Sequence, residues 1–123
     1  MIDRKEIGAL GEKLAGDFLK KRGYHIIENN YRCPRGEIDI IARHKDCLVF
    51  IEVRTKTNLS FGTPEESVSN AKKAKMRLTA AFYLHSQEKL PKSWRIDFVA
   101  VEINNNGKAR RIEIFENAVG EVS

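Results

Sequence analysis

The chain has 123 residues, a length typical of one domain, and its 41% hydrophobic and 32% charged residues are typical of a folded, soluble protein rather than a disordered one. The charged segment from Met1 to Glu6 predicts no secretory signal, and no apolar run approaches the ~20 residues of a membrane span. With only two cysteines, these features predict a single cytoplasmic domain over residues 1–123. The net charge of +5 favours a polyanionic partner without identifying it.

The first half of the chain predicts one helix followed by three strands. Residues 3–22 are predicted to form a helix, since Asp3 with Glu6 resembles a capping box and Gly23 is a typical C-terminal stop. Strands are predicted over residues 24–30, 37–43 and 47–54, with a turn at residues 33–36. The third strand is almost continuously apolar, which is typical of a central strand covered on both faces.

The second half predicts a long helix and two more strands. A helix-start pattern begins at Thr63, but residues 67–70 favour a helix poorly, so the helix is expected to begin near Ser69 or Asn70 and to run to about Gln87. Ala71, Ala74, Leu78, Ala81 and Phe82 are predicted to share one face of this helix. Strands over residues 94–102 and 110–116 are joined by an Asn-Gly turn. The order α-β-β-β-α-β-β predicts an α/β protein with helices packed on a mixed sheet.

The hairpin in the middle of the chain predicts a cluster of charged side chains. If its turn centres on residues 45 and 46, residue 44 faces residue 47, Asp39 faces Glu52, and Glu37 faces Arg54. The same register gives a uniformly apolar core face. That face is formed by Ile38 with Val53, Ile40 with Ile51, and Ala42 with Val49.

The two facing carboxylates, Asp39 and Glu52, leave three interpretations open. In the first interpretation, they share a proton and one pKa is raised. In the second, they bind a divalent cation such as Mg²⁺. In the third, Glu37, Arg54 and Lys56 neutralise them in a solvated cluster. A basic residue two positions after the second carboxylate lies on the same face, where phosphodiester hydrolysis would use it to hold the phosphate or orient water.

The same residues carry a resemblance to a known group of enzymes. Residues 36–42 (Gly-Glu-Ile-Asp-Ile-Ile-Ala) and 50–54 (Phe-Ile-Glu-Val-Arg) resemble the PD-(D/E)xK nuclease superfamily. More narrowly, the chain is similar to the small bacterial YraN-type family of predicted endonucleases, distant relatives of archaeal Holliday junction resolvases. The resemblance extends over nearly the whole chain. It implies a restriction-endonuclease-like fold and a Mg²⁺- or Mn²⁺-dependent endonuclease that acts on structured or branched DNA.

The resemblance also implies roles for individual residues. Asp39 and Glu52 would be metal ligands, with the Val53 carbonyl as an additional ligand. Glu12 matches a glutamate that joins the site in resolvases, and its small neighbours, Gly8, Ala15 and Gly16, would let the first helix approach the sheet. Glu12 and Glu37 would assist ligation or position water.

Two residues depart from the superfamily pattern. Arg54 stands where lysine is usual, and because arginine is always protonated it is a poor general base. Lys56, on the same face, would substitute for the missing lysine. Ile38 stands where the name of the superfamily has a proline.

The region of residues 69–95 has the clearest charge asymmetry, with seven basic residues and one acid. Lys72, Lys73, Lys75 and Arg77 are predicted to contact nucleic-acid phosphates. The alternative is an ordinary solvated helix face. In the next strand, Trp94 and Phe98 are predicted to be core residues.

The sequence leaves open two other functions and the formation of a homodimer. The chain could be a non-catalytic nucleic-acid-binding module, or an interaction subunit of a repair complex. Symmetric cutting of a DNA junction would require a homodimer, for which the sequence identifies no face.

Asp97 is predicted to form a salt bridge rather than to bind metal.

Overall fold

The computed structural model describes residues 3–58, 60, 62–89 and 91–116. Its element order agrees with the predicted order and adds one short 3₁₀ turn. The elements are α1 (Arg4–Lys21), β1 (His25–Cys33), β2 (Gly36–His44), β3 (Cys47–Lys56), the 3₁₀ turn (Glu65–Ser67), α2 (Asn70–His85), β4 (Ser93–Ile103) and β5 (Ala109–Phe115). The predicted α/β class is confirmed.

Capping side chains define where both helices begin. The Asp3 carboxylate accepts a hydrogen bond from the Glu6 backbone N–H at 2.8 Å at the start of α1. The Ser69 hydroxyl accepts one from the Lys72 N–H at 3.1 Å at the start of α2. The helix-start pattern at Thr63 belongs to the 3₁₀ turn, where the Thr63 N–H donates to the Glu66 carboxylate at 2.9 Å. The later start predicted for α2 is therefore confirmed.

The five strands form one mixed sheet in the order β1-β2-β3-β4-β5. Strands β3 and β4 are parallel, and the other neighbouring pairs are antiparallel. Helix α2 lies in the crossover between β3 and β4, as a parallel pair requires. The apolar residues of α1 pack on one face of the sheet and those of α2 on the other. Strand β3 is therefore covered on both faces, as predicted.

The predicted register of the central hairpin is confirmed over most of its length. His44 pairs with Cys47, Ala42 with Val49, and Ile40 with Ile51. The described pairing of β2 with β3 ends at Ile40 and Ile51, so it does not include the next expected pair, Asp39 with Glu52.

The core position predicted for Ile38 is wrong. Ile38 was expected on the same core face as Ile40, but it packs instead in the core under α2, with Ile41 and Phe50. Because side chains alternate only along a regular strand, this change of face marks an irregularity between residues 38 and 40. It occurs where β2 leaves β3.

The apolar face that the sequence indicates for α2 is turned outward. Leu78 is 57% exposed and Phe82 is 40% exposed. The buried residues of the helix are instead Met76, Thr79, Ala80, Tyr83 and Leu84. The helix has two apolar stripes, and spacing alone does not show which of them meets the sheet.

The predictions for β4 are mixed. Phe98 is buried as expected, whereas Trp94, also predicted to be core, is 44% exposed. Asp97 is fully buried, and its carboxylate accepts from the Arg95 Nε at 2.9 Å, so the predicted salt bridge is confirmed. None of the helices in the described part of the chain is long and apolar enough to span a bilayer.

Candidate functional site

Asp39 lies where β2 separates from β3. Its Oδ2 atom accepts a hydrogen bond of 2.8 Å from the Val53 backbone N–H. This bond replaces the cross-strand pairing expected at this position, and it holds the carboxylate at the opening between the two strands. Glu52 precedes Val53 on β3, and its side chain is almost completely buried. Strand β3 therefore positions both carboxylates predicted to form the centre of the site. Asp39 is held by its hydrogen bond from Val53, and Glu52 is the preceding residue of the strand.

Helix α1 brings a third carboxylate, Glu12, to the same place. A Cβ atom added to Gly11 would lie 1.9 Å from the Thr55 Oγ1 atom, so the helix packs on β3 at a distance that only glycine allows. The small residues predicted to permit this approach were Gly8, Ala15 and Gly16. Ala15 is fully buried in the core, whereas a Cβ atom on Gly8 or Gly16 would meet nothing within 4 Å. The closest contact is made at Gly11 instead.

Burial and neighbouring carboxylates raise the pKa of Glu52 and of Glu12. Burial and then the negative charge of Asp39 raise the pKa of Glu52 to about 7, against opposing effects of Lys72 and Arg54. Burial and then Asp39 also raise the pKa of Glu12 to about 7, with a smaller contribution from Glu37. Glu12 and Glu52 therefore keep their protons to a higher pH than exposed glutamates do.

Two cations lie beside Glu52. The Arg54 Nε atom is 3.4 Å from the Glu52 Oε2 atom, and the Lys72 Nζ atom is 3.5 Å from the same oxygen. The Arg54 Nε atom is buried but makes no hydrogen bond within the described part of the chain. A buried donor without a hydrogen bond is costly, so this N–H would gain from an oxygen ligand in the site.

A cleft of about 990 Å³ opens over these residues. Nearly all the predicted site residues line it, and they come from α1, β2, β3 and α2. These are Glu12, Glu37, Asp39, Glu52, Val53, Arg54, Lys56, Lys72 and Lys75. Lys73 and Arg77, which were predicted to continue the phosphate contacts, are not among its lining residues.

Three cationic residues of the cleft were missed from the sequence: Arg4, Lys5 and Arg32. Lys5 stands seven positions before Glu12, so the two residues share one face of the helix. This spacing would have identified Lys5 from the sequence. Arg32 is brought in by the pairing of β1 with β2, which puts it opposite Glu37. Its Nε atom is 3.8 Å from the Glu37 carboxylate. Glu37 therefore faces Arg32 rather than the predicted Arg54.

These features define an α/β domain with an acidic cluster on the floor of a cationic cleft. The chain belongs to the family described as "Uncharacterised protein family UPF0102", which matches residues 11–101. A UPF0102 protein of Dehalococcoides mccartyi is 48% identical over 121 residues, which cover 97% of each chain. A UPF0102 protein of Moorella thermoacetica is 44% identical, over 95% of this chain and 98% of its own. Membership of the UPF0102 family is thus shown along nearly the full chain.

The raised pKa of Glu52 predicts that the metal-free protein loses stability as the pH rises. The folded state keeps the proton up to about pH 7, whereas the unfolded state loses it near the ordinary value of 4.5. The contribution of Glu52 to stability is therefore most favourable below pH 4.5 and is progressively lost between pH 4.5 and 7. We expect Glu52→Gln to stabilise the protein at pH 8 in EDTA by on the order of 1 kcal/mol, or roughly 3–5 °C in Tm.

Thermal denaturation at pH 5 and pH 8 in EDTA checks this expectation. The difference in Tm between the variant and the wild type should be larger at pH 8 than at pH 5. Glu88→Gln, which changes an exposed glutamate away from the cleft, serves as the control and should behave as the wild type. A Glu52→Gln variant that is less stable than the wild type at pH 8 would show that Glu52 is held there by its ion pairs.

Proposed function

We propose that the protein hydrolyses phosphodiester bonds in DNA with the help of a divalent cation. The observation that carries this proposal is the placement of Glu12, Asp39 and Glu52 among cationic side chains. The cleft is lined by seven lysines and arginines and by four carboxylates. The basic lining suits a phosphate, but the carboxylates on the floor would repel it. A cation bound between the carboxylates and the phosphate would resolve this conflict, because it attracts both of these groups.

The donors in the site fit Mg²⁺ or Mn²⁺. Among the described residues, no three His, Cys, Asp or Glu side chains form a ready metal-binding group. Mg²⁺ does not require one, since it commonly takes one or two carboxylates and completes its shell with waters and substrate phosphates. Asp39, Glu52 and the Val53 carbonyl would hold the ion. When bound, it would supply a water of lowered pKa and polarise the phosphoryl oxygen.

The side chains of the cleft divide the remaining work by their charge. Arg54 stays protonated at any relevant pH, so it binds a phosphate oxygen through its guanidinium N–H groups and does not act as a base. Lys56 and Lys72 hold the neighbouring phosphates. The Glu12 carboxylate, which lies beside Asp39, would accept a proton from the attacking water. Glu37 helps to position this water.

The fold and these residues support placement in the restriction-endonuclease-like superfamily. The confirmed five-stranded mixed sheet with helices on both faces agrees with that placement. Structured or branched DNA is the proposed substrate, and the cytoplasm is the proposed location. A homodimer stays a prediction, tied to symmetric cutting of junctions.

A cleavage assay with a panel of DNA substrates tests the proposed function. Labelled four-way junction, flap, single-stranded and duplex DNA are incubated with Mg²⁺, Mn²⁺ or EDTA. We expect cleavage of at least one branched substrate in Mg²⁺ or Mn²⁺, and a loss of at least about 10²-fold in EDTA. A protein that cuts none of these substrates with either metal contradicts the proposal.

One observation favours a second function, that of a non-catalytic nucleic-acid-binding module. Glu52 already lies within 3.5 Å of two cations, Arg54 and Lys72, so the acidic cluster is partly neutralised by the protein itself. Such a module would bind DNA with an affinity that falls steeply with salt, and it would bind without a divalent cation. The cleavage panel separates the two functions.

A further inference from the structure

We propose that Asn30 positions Asp39, because its left-handed backbone fixes the break in the β1–β2 ladder that directs the Asp39 carboxylate to the Val53 N–H. The inference rests on the proposed function, since it adds a positioning residue to the same site. The φ angle of Asn30 is 54°, in a region that residues other than glycine rarely adopt. Among the described residues, Lys45 is the only other non-glycine residue with a positive φ, of 57°.

The two left-handed residues differ in their setting. Lys45 lies in the two-residue turn between β2 and β3, where tight hairpins use a positive φ. Asn30 lies inside β1, where the backbone is normally extended. The register shift of β1 does not account for this conformation, because it lies just before Glu28 and one register is kept from there to the end of the strand. The conformation of Asn30 therefore has another cause.

Asn30 lies opposite Asp39 in the ladder between β1 and β2. The neighbouring pairs that place it there are Asn29 with Ile40 and Tyr31 with Ile38. Asn30 also lines the cleft, as Asp39 and Arg32 do. The left-handed residue of β1 and the proposed metal ligand of β2 therefore form one pair at the edge of the site.

Both strands change face at this pair. On β2, Ile40 packs in the core under α1, whereas Ile38 packs in the core under α2. On β1, Tyr31 packs under α2 with its partner Ile38, while Asn29 stands opposite Ile40 and so projects to the α1 face. Residues two positions apart share a face in a regular strand. Strand β1 must therefore leave the extended conformation between Asn29 and Tyr31, where the left-handed residue lies.

The left-handed residue lets β1 stay paired with β2 on both sides of the break. A regular β1 would pair along its length only with a regular β2, in which Asp39 would continue the ladder with β3. The Val53 N–H would then meet a backbone carbonyl of β2 instead of the Asp39 carboxylate. Asparagine suits this position, because it is among the few residues besides glycine that adopt the left-handed conformation readily.

Amide hydrogen exchange, followed by NMR in EDTA, tests the inference without metal or DNA. Asn30→Ala and Asn30→Gly both remove the side-chain amide, but only glycine adopts a positive φ at no steric cost. The Val53 N–H, which donates to Asp39, is the reporter. We expect it to exchange about tenfold faster in Asn30→Ala than in the wild type, and at the wild-type rate in Asn30→Gly.

Lys45 provides a matched control for the effect of stability. Lys45→Ala and Lys45→Gly make the same two changes at a left-handed position that does not line the cleft. At both positions alanine should lower the Tm by about 4 °C relative to glycine, because the left-handed region disfavours residues with a Cβ atom. Only at Asn30 should the difference between alanine and glycine extend to local exchange of the Val53 amide.

Two exchange results would overturn the inference. Equal protection of the Val53 amide in Asn30→Ala and Asn30→Gly would show that the backbone of Asn30 does not position Asp39. Equal loss of protection in both variants would assign the effect to the side-chain amide instead.

The exchange result is independent of catalysis. With Mg²⁺ and the best DNA substrate, Asn30→Ala should cleave about tenfold more slowly than Asn30→Gly, because only glycine keeps Asp39 in place. Equal cleavage rates in the two variants would overturn the inference. A protein that cuts no DNA but shows the expected exchange pattern loses the proposed hydrolysis alone, and the positioning of Asp39 by Asn30 stands.

Discussion

Asp39→Asn is expected to lower metal-dependent cleavage by about 10³-fold while leaving the fold intact. The substitution removes the negative charge that lies between Glu12 and Glu52, and with it the proposed hold on the cation, a loss of several kcal/mol in stabilisation of the transition state. An asparagine side-chain oxygen can still accept the hydrogen bond that the Val53 N–H donates to Asp39. Single-turnover cleavage of the best substrate in Mg²⁺ measures the effect.

The same hairpin offers a matched control for Asp39→Asn. Asp46 lies in the turn between β2 and β3 and does not line the cleft. Asp46→Asn therefore makes the same chemical change in the same hairpin without touching the acidic cluster, and it should cleave at the wild-type rate. If Asp39→Asn cleaves at more than about a tenth of the wild-type rate, Asp39 does not hold a catalytic metal.

The acidic cluster could be predicted from the sequence because a hairpin register is a strong constraint. One choice of turn aligned every apolar pair of β2 and β3, and a slip by one residue would have moved each of them to the wrong face. Five of the pairs implied by this register are present, from His44–Cys47 to Ile40–Ile51. The proximity of Asp39 and Glu52 follows from those pairs.

The opening of the hairpin at Asp39 could not be predicted in the same way. Alternation of side chains assumes a continuous ladder, and nothing in the residue types indicates that a side chain replaces a backbone partner. The Val53 N–H donates to the Asp39 carboxylate, and Ile38 turns to the opposite core. This opening makes Asp39 accessible to both Glu12 and Glu52.

The orientation of α2 could not be predicted for a different reason. Its two apolar stripes are similar in hydrophobicity, so the period of the sequence fits either one. The stripe that meets the sheet contains Met76 and Tyr83, and the Tyr83 ring packs edge-on against Phe50 at a centroid distance of 5.6 Å. The stripe with Leu78 and Phe82 faces outward. Tertiary packing, rather than helical periodicity, decides between them.

Gly11→Ala is expected to destabilise the protein by about 1–3 kcal/mol and to move Glu12 away from Asp39. The added Cβ atom would lie 1.9 Å from the Thr55 Oγ1 atom and 2.9 Å from the Thr55 Cβ atom, so α1 must shift outward from β3. This loss exceeds the gain of about 0.5–1 kcal/mol that alanine normally brings to a helix interior. Urea denaturation measures the change in the free energy of unfolding.

Gly16→Ala makes the identical substitution on the same helix, at a position where the new Cβ atom meets nothing within 4 Å. It should stabilise the protein by about 0.5–1 kcal/mol, so the two variants are expected to shift stability in opposite directions. Gly11→Ala should also reduce cleavage, because Glu12 no longer lies beside Asp39, whereas Gly16→Ala should leave the rate unchanged. Two stabilising substitutions would show that the close contact between α1 and β3 does not fix the position of Glu12.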